Sequence, residues 1–267
     1  MTHIVLTIAG SDSGGGAGIQ ADLKTFSALG CYGASVITAV TAQNTRAVTG
    51  IHAIPTALIQ AQIEAVLSDL RVDAIKIGML GDSEVIRAVA DSLRTADIPI
   101  ILDPVMVAKS GDRLLQEDAV AALISELLPL ATLVTPNLPE AIALLGGSNN
   151  DLPDDIPAQG EAILAKGARA VLMKGGHADG AECVDQLIQA DRPVRSFTSA
   201  RIDTPNTHGT GCTLSAAIAA GLAQGLSLEA SVEQAHRYLA GAIRAADTLQ
   251  IGRGHGPVHH FHHLWNL

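Results

Sequence analysis

The chain has 267 residues and is 48% apolar, enough for one large α/β domain or two small ones with a sizeable core. Aromatics make up only 2%, so the core is aliphatic, and stacking platforms for single-stranded nucleic acid are not expected. A net charge of −10 without a long basic run argues against nucleic acid and anionic membranes as partners. Any bound phosphate must therefore meet backbone dipoles, isolated lysines or a metal ion.

The N-terminus enters an apolar strand over 3–9 at once, without a signal peptide's charged region and cleavage site. No uncharged apolar run approaches the roughly 18 residues of a membrane span. Cys31, Cys183 and Cys212 show neither metal-ligand spacing nor a disulfide framework, which fits a reducing compartment. The expectation is a soluble, cytoplasmic protein.

The first strand runs into Gly10-Ser11-Asp12-Ser13-Gly14-Gly15-Gly16-Ala17-Gly18, and a helix is predicted over 19–29. After Gly14 and Gly16 the third glycine of a dinucleotide fingerprint would fall on Ile19, and no Gly-Lys-Ser/Thr follows. The loop reads instead as backbone packed closely around a small ligand, or as a flexible turn. Asp22 lies one turn inside the helix, where a carboxylate complements the dipole. A strand over 34–40 leads to Gln43, a neutral amide that can pair with an aminopyrimidine edge or face solvent. There follow a helix over 57–70, a strand over 74–77, the turn Gly78-Met79-Leu80-Gly81, a helix over 83–95 and a strand over 98–102.

That strand delivers Asp103 to its carboxyl end, where open α/β sheets place ligands. Asp103 is a candidate contact for metal or phosphates, or a cap of the next turn. Lys109-Ser110-Gly111-Asp112 reads as a polar, mobile loop, and 117–128 as a helix. A strand over 131–135 ends before Asn137 and Glu140, three apart at a helix start. Such a pair offers hard oxygens to hydrated Mg²⁺, or closes a capping box. Residues 146–157 form a surface connection, followed by a helix over 158–166 and a strand over 170–173. Lys174, beside Gly175, Gly176 and His177, can reach a polyphosphate or mark a solvated turn. Strands over 184–188 and 194–198 suggest an edge hairpin.

In Asn206-Thr207-His208-Gly209-Thr210-Gly211-Cys212-Thr213 a loop becomes an apolar helix over 213–224, with another over 228–246. Unpaired amides and the dipole at a helix start suit an anion, and glycine permits close approach. Cys212 would sit in that positive field. A tight turn with Cys212 as a small apolar residue accounts for the local pattern as well. The tail over 252–267 holds His255, His259, His260, His262 and His263, half of the ten histidines, and reads as a packed extension before a metal site. Strands alternate with helices almost throughout, which predicts one domain over 1–267. Its architecture is α/β: a three-layer sandwich with a largely parallel central sheet and helices on both faces.

With these motifs in one order, the chain resembles the hydroxymethylpyrimidine/phosphomethylpyrimidine kinases of the ribokinase-like superfamily. The resemblance also runs through Ala42-Gln43-Asn44-Thr45, Lys76-Ile77-Gly78-Met79-Leu80, Asp103-Pro104-Val105-Met106 and Gly256-Pro257-Val258-His259-His260. It implies ATP-dependent phosphorylation of 4-amino-5-hydroxymethyl-2-methylpyrimidine and then of its monophosphate, in thiamine biosynthesis, by a homodimer using ATP and Mg²⁺. Gly10, Ala17, Asp22, Gln43, Met79 and Val105 would bind the pyrimidine. Lys174, Asn137 and Thr207 would serve ATP and its phosphates, and Asp103 and Glu140 the metal. Gly209, Thr210 and Gly211 would form the anion hole, with Cys212 where the wider superfamily has an aspartate base. A thiol near 8.5, lowered by the helix start, is expected to be a workable base. A pyridoxal or pyridoxine kinase shares this pattern, and a non-catalytic pyrimidine-binding module on the same fold is the alternative of another class.

Overall fold

The structure is a computed structural model that describes residues 1–106, 117–147, 155–176 and 180–265. The 109–112 loop, most of the 146–157 connection and His177 lie outside the described residues.

In chain order the elements begin with β1 (Ile4–Asp12), α1 (Gly18–Ala28), β2 (Tyr32–Gln43), β3 (Val48–Ala53), α2 (Thr56–Leu67), β4 (Ala74–Ile77), α3 (Ser83–Leu93) and β5 (Ile100–Leu102). They continue with α4 (Glu117–Ala122), β6 (Leu133–Val134), α5 (Leu138–Leu145), α6 (Ile156–Leu164) and β7 (Ala170–Met173). The chain then forms β8 (Glu182–Gln189), β9 (Arg195–Ala200), α7 (Thr210–Ala223) and α8 (Leu228–Arg244). The strands form one nine-stranded sheet in the order β3-β2-β1-β4-β5-β6-β7-β8-β9. It is parallel from β2 to β7 and antiparallel at β3, β8 and β9.

Successive strand residues point to opposite faces, so a doubly covered strand must be apolar on both. Leu6, Ile8, Ile75, Leu102, Val134 and Val171 belong to one core, packed with residues of α2 to α6. Their neighbours Val5, Ala74, Ile101, Leu133, Ala170 and Leu172 belong to a second core with α1, α7 and α8. β4 breaks the pattern once: Lys76, fully buried, occupies the face of the second core.

β3 is absent from the sequence expectation. Its residues are mostly exposed and pair antiparallel with β2, so no apolar alternation announces it. The helix expected over 117–128 is α4 continued by a π-helical turn (Leu123–Leu127) and a 3₁₀ turn (Leu128–Leu130). Pro129, lacking an amide, sits in the latter.

β1 has β2 on one side and β4 on the other, so the strand order reverses there. The carboxyl ends of the strands at such a switch point leave a crevice.

Candidate active site

That crevice is a cavity of about 1390 Å³. Gly10, Met79, Asp103, Asn137 and Lys174 bring the ends of β1, β4, β5, β6 and β7 to it, and the start of α7 forms a further wall. Ala17, Gln43, Val105, Glu140, Thr207, Gly209, Thr210, Gly211 and Cys212 also line it. The structure therefore gathers every candidate residue into one space except Asp22. Asp22 is fully buried outside the lining, accepts a hydrogen bond from Thr7 Oγ1 at 2.6 Å and pairs with Lys76 at 2.9 Å. The carboxylate expected to bind substrate is thus placed against a buried ammonium instead of in the cavity lining.

The first glycine-rich loop is folded around Asp12. Its Oδ1 accepts from the Gly14 amide at 2.7 Å, and its Oδ2 from the Gly16 and Ala17 amides at 3.0 and 2.8 Å. His208 Nε2 lies 2.9 Å from the same Oδ2, an arrangement in which Nε2 carries the proton and donates. Burial alone would raise the Asp12 carboxyl, but the His208 and backbone hydrogen bonds outweigh it and hold the group below its ordinary value. His208 Nε2 is also 3.4 Å from Gln43 Nε2, so Asp12, His208 and Gln43 adjoin at one end of the cavity. Sequence reasoning assigned no role to Asp12 or His208. The available signal was a lone carboxylate at the head of a glycine run, where several free amides await an acceptor.

Three adjacent strand ends supply charge. Asp103 Oδ1 accepts from Lys174 Nζ at 3.0 Å and from Thr135 Oγ1 at 3.2 Å. Ser215 Oγ donates to Asp103 Oδ2 at 3.3 Å, and Glu140 Oε2 is 3.5 Å from Lys174 Nζ. Burial would raise Asp103, but Lys174 and Lys76 draw it below the usual carboxylate range. Burial wins at Glu140 and raises it despite Lys174, while the two carboxylates push Lys174 upward against its own desolvation. Asn137 Oδ1 accepts from the Glu140 amide at 2.9 Å, and Glu140 Oε2 from the Asn137 amide at 2.8 Å. The capping-box reading of this pair is thus realised, and it fixes the Glu140 carboxylate against the cavity.

The second glycine-rich loop starts α7. Asp82, Asn137, Asp155 and Ser227 cap α3, α5, α6 and α8 with side-chain hydrogen bonds. α7 begins on Gly209 with no side-chain cap among the described residues. A helix start without a side-chain acceptor is the arrangement that suits an anion, although the Thr210 amide here donates to the Thr207 carbonyl at 3.4 Å. Gly209 has φ +83°, and a Cβ there would collide with the Gly16 carbonyl oxygen, so the two glycine loops pack backbone to backbone.

At Cys212 the helix start does not prevail. Burial pushes the thiol up to about 11. Lys76 and the Gly18 amide oppose that rise, and Asp22 and Asp103 add to it. The expected shift toward neutrality is corrected, because desolvation of sulfur outweighs the nearby dipoles.

The phosphomethylpyrimidine kinase family pattern matches residues 12–259. The chain belongs to this family. A hydroxymethylpyrimidine/phosphomethylpyrimidine kinase of Rhizobium meliloti is 59% identical over 265 residues, 99% of each chain. Bacillus subtilis pyridoxal kinase, solved as an ADP complex, superposes with a TM-score of 0.90 at 36% identity, covering 100% of both chains. Clostridium difficile phosphomethylpyrimidine kinase gives a TM-score of 0.78 at 45% identity, covering 90% of this chain and 99% of that one.

In this phosphomethylpyrimidine kinase family member, Cys183, Asp185, Arg201, His236 and Leu239 extend the cavity beyond Lys174 along β8, β9 and α8. Sequence reasoning missed this wall, which joins an edge hairpin to a helix far along the chain. Asp185 Oδ1 accepts from the Gly175 amide at 2.9 Å, pinning the turn that carries Lys174. The histidine-rich tail packs behind the second loop, as expected of an extension. His208 and Pro257 form a parallel bridge, His260 Nε2 is 3.1 Å from Thr213 Oγ1, and Tyr238 donates to the His260 carbonyl at 2.6 Å. Among the described residues no group of three or more His, Cys, Asp or Glu is arranged to hold a metal ion.

Proposed function

We propose that this kinase transfers the γ-phosphoryl group of ATP to 4-amino-5-hydroxymethyl-2-methylpyrimidine and then to its monophosphate, a route to the diphosphate used in thiamine biosynthesis. One observation carries the reading. Gly10, Ala17, Gln43, Met79 and Val105 line the same cavity as an uncapped helix start and the Asp103–Lys174–Glu140 cluster. Gln43 offers an amide donor and acceptor to the edge formed by a ring nitrogen and its exocyclic amine. Met79 and Val105 offer apolar surface to the ring faces.

Phosphoryl transfer is catalysed mainly by positioning and by countering charge. The Gly209, Thr210, Gly211 and Cys212 backbone would receive the transferring group, and the Lys174 ammonium would balance its equatorial oxygens. In the first step the hydroxymethyl proton passes to the Cys212 sulfur as its thiolate. The substrate oxygen bonds to the γ-phosphorus, the bond from that phosphorus to the bridging oxygen breaks, and ADP leaves. In the second step an ionised phosphate oxygen attacks and no proton need be removed. Asp103 and Glu140 fit Mg²⁺ in donor chemistry, since Mg²⁺ takes one or two carboxylates and completes its shell with water and substrate phosphates. Bound there, Mg²⁺ would supply charge neutralisation to the polyphosphate.

The test is kcat/KM for the hydroxymethylpyrimidine and for pyridoxal, each read as ADP formed. We expect the pyrimidine to be preferred by at least about tenfold, roughly 1.4 kcal/mol. A preference for pyridoxal would install the second reading, which the close superposition on a pyridoxal kinase favours. Tight pyrimidine binding without ATP turnover would reject both. The same family kinship supports a cytoplasmic homodimer, which light scattering and cell fractionation test. Among the described residues no helix is long and apolar enough to cross a membrane.

A further inference from the structure

The wall that continues the cavity past Lys174 carries a buried carboxylate, Asp185 of β8. Like charges repel, so an acid on this wall does nothing to attract the phosphates that Lys174 would balance. Its contacts lead to main chain instead.

β7 and β8 pair antiparallel as far as Met173 and Gln186. Beyond that pair the chain leaves β7 through Lys174, Gly175 and Gly176. The Lys174 amide donates to the Pro136 carbonyl, just past β6, at 2.9 Å. The Gly175 amide donates to Asp185 Oδ1, on β8, also at 2.9 Å. Two successive residues are thus held from opposite sides, since β6 and β8 flank β7 in the sheet. A Cβ on Gly175 would collide with the Val184 carbonyl oxygen, so the turn presses on the β8 backbone where only glycine fits. The Gly175 hydrogen bond is buried, and a buried amide deprived of its acceptor is costly. Asp185 Oδ2 faces His236 Nε2 of α8 at 3.7 Å, so the helix layer backs the carboxylate.

This anchor fixes the root of Lys174, whose Nζ lies 3.0 Å from Asp103 Oδ1 and 3.5 Å from Glu140 Oε2. Lysine is a point charge on a flexible four-carbon stem, so its aim depends on where the main chain starts it. We propose that Asp185 is a positioning residue for phosphoryl transfer: as the acceptor for the Gly175 amide, it holds the turn that aims Lys174 at the transferring phosphates. The inference rests on the kinase reading above. It makes the hydrogen-bond acceptor, not the negative charge, the working part of Asp185. Asparagine should therefore replace it, because its carbonyl oxygen can still accept from Gly175. The effect of Asp185 should also pass through Lys174 and vanish where that ammonium is absent.

The experiment is a double-mutant cycle in kcat with D185L, K174A and D185L/K174A, and D185N as the conservative variant. Leucine approximates the shape of aspartate without an acceptor. D185L should lower kcat at least about tenfold and leave KM for the vitamin precursor within about twofold. D185N should stay within about threefold of wild type. In the K174A background D185L should change kcat by less than about twofold, whereas a merely structural role would lower both backgrounds by the same factor. A second measurement needs no turnover: acetic anhydride labelling of the folded protein, with Lys174 and the exposed Lys166 followed by peptide mass spectrometry. D185L should speed acetylation of Lys174 at least about threefold, D185N should not, and Lys166 should be unchanged in both. If D185L does not fold, D185A takes its place in both measurements, and if K174A is too slow to assay, the labelling decides. Equal losses in the two backgrounds, a D185N variant as impaired as D185L, or an unmoved Lys174 acetylation rate overturn the inference. Wild-type protein that fails to release ADP with either vitamin precursor overturns the functional reading instead, and the labelling still reports on the anchor.

Discussion

Asp12 and His208 are 196 positions apart in sequence and meet at 2.9 Å, both buried and both lining the cavity. Their contact ties the glycine loop after β1 to the loop before α7, since Asp12 also accepts from the Gly14, Gly16 and Ala17 amides. His208 in turn receives the tail, its amide donating to the Gly256 carbonyl at 3.0 Å. The pair therefore joins three segments that surround the candidate substrate pocket.

Asp12→Ala should leave three loop amides and the His208 ring without their acceptor. The expected cost is about 2–3 kcal/mol in urea unfolding, with KM for the pyrimidine raised at least about tenfold. The sign with pH follows from the lowered Asp12 carboxyl. Its contribution is present above the unfolded value of about 3.9 and is lost as pH falls through the lower folded value. A wild-type stability curve in acid that matches Asp12→Asn would reject that coupling.

Gly209 and Gly225 make a matched pair for a second prediction. Both have φ +83°, but a Cβ on Gly209 meets the Gly16 carbonyl oxygen, whereas on Gly225 it meets nothing within 4 Å. Gly225→Ala should cost only the left-handed strain of about 1–2 kcal/mol and leave kcat/KM within about twofold. Gly209→Ala adds displacement of the first glycine loop, and kcat/KM should fall by at least about a hundredfold, roughly 2.7 kcal/mol. Similar kinetics for the two variants would show that contact between the loops is unimportant.

The sequence was most readable where one strand or one turn suffices. β4 and β7 keep their predicted bounds, and Asp103 and Lys174 stand at strand ends because a parallel sheet leaves its ligands nowhere else. Residues that act across the chain were opaque. Lys76 sits in Ala74-Ile75-Lys76-Ile77, where nothing local reveals the carboxylate 54 positions away on α1. Asp22 fits a local reading, a charge near a helix start, and that reading conceals its partner. β3 escaped because an exposed edge strand needs no apolar alternation. For Cys212 the dipole was visible in the sequence, but the opposing desolvation depends on how tightly β4, α1 and α7 close on the sulfur.

Cys212→Ala should separate the two phosphorylations. In the first, loss of the proton acceptor should reduce the single-turnover rate by about 10²–10⁴, while the second, whose nucleophile is already ionised, should change less than about threefold. With the thiol pushed up to about 11, the wild-type first-step rate should climb with pH from neutrality into the alkaline range. The second step should lack that rise. Equal losses in both steps would assign Cys212 to positioning of the phosphoryl group.

His260 gives the tail an acid sensitivity of definite sign. Burial, with smaller contributions from Lys24, His259 and His208, lowers its ring from 6.5 to about 3. The unfolded chain therefore binds a proton below 6.5 that the folded chain refuses until about 3. Stability from this residue is complete above the unfolded value and erodes as pH falls toward the folded one, by up to about 1.4 kcal/mol per pH unit. His260→Gln removes the titration, though it also disturbs the contact with Thr213. Urea unfolding at pH 7.5 should show the variant less stable than wild type. Between pH 6.5 and 5.5 the difference should narrow by about 1 kcal/mol, because only the wild type pays for excluding the proton. A difference that stays constant over that interval would mean that the ring is protonated within the fold, and that the buried tail is not what limits stability in mild acid.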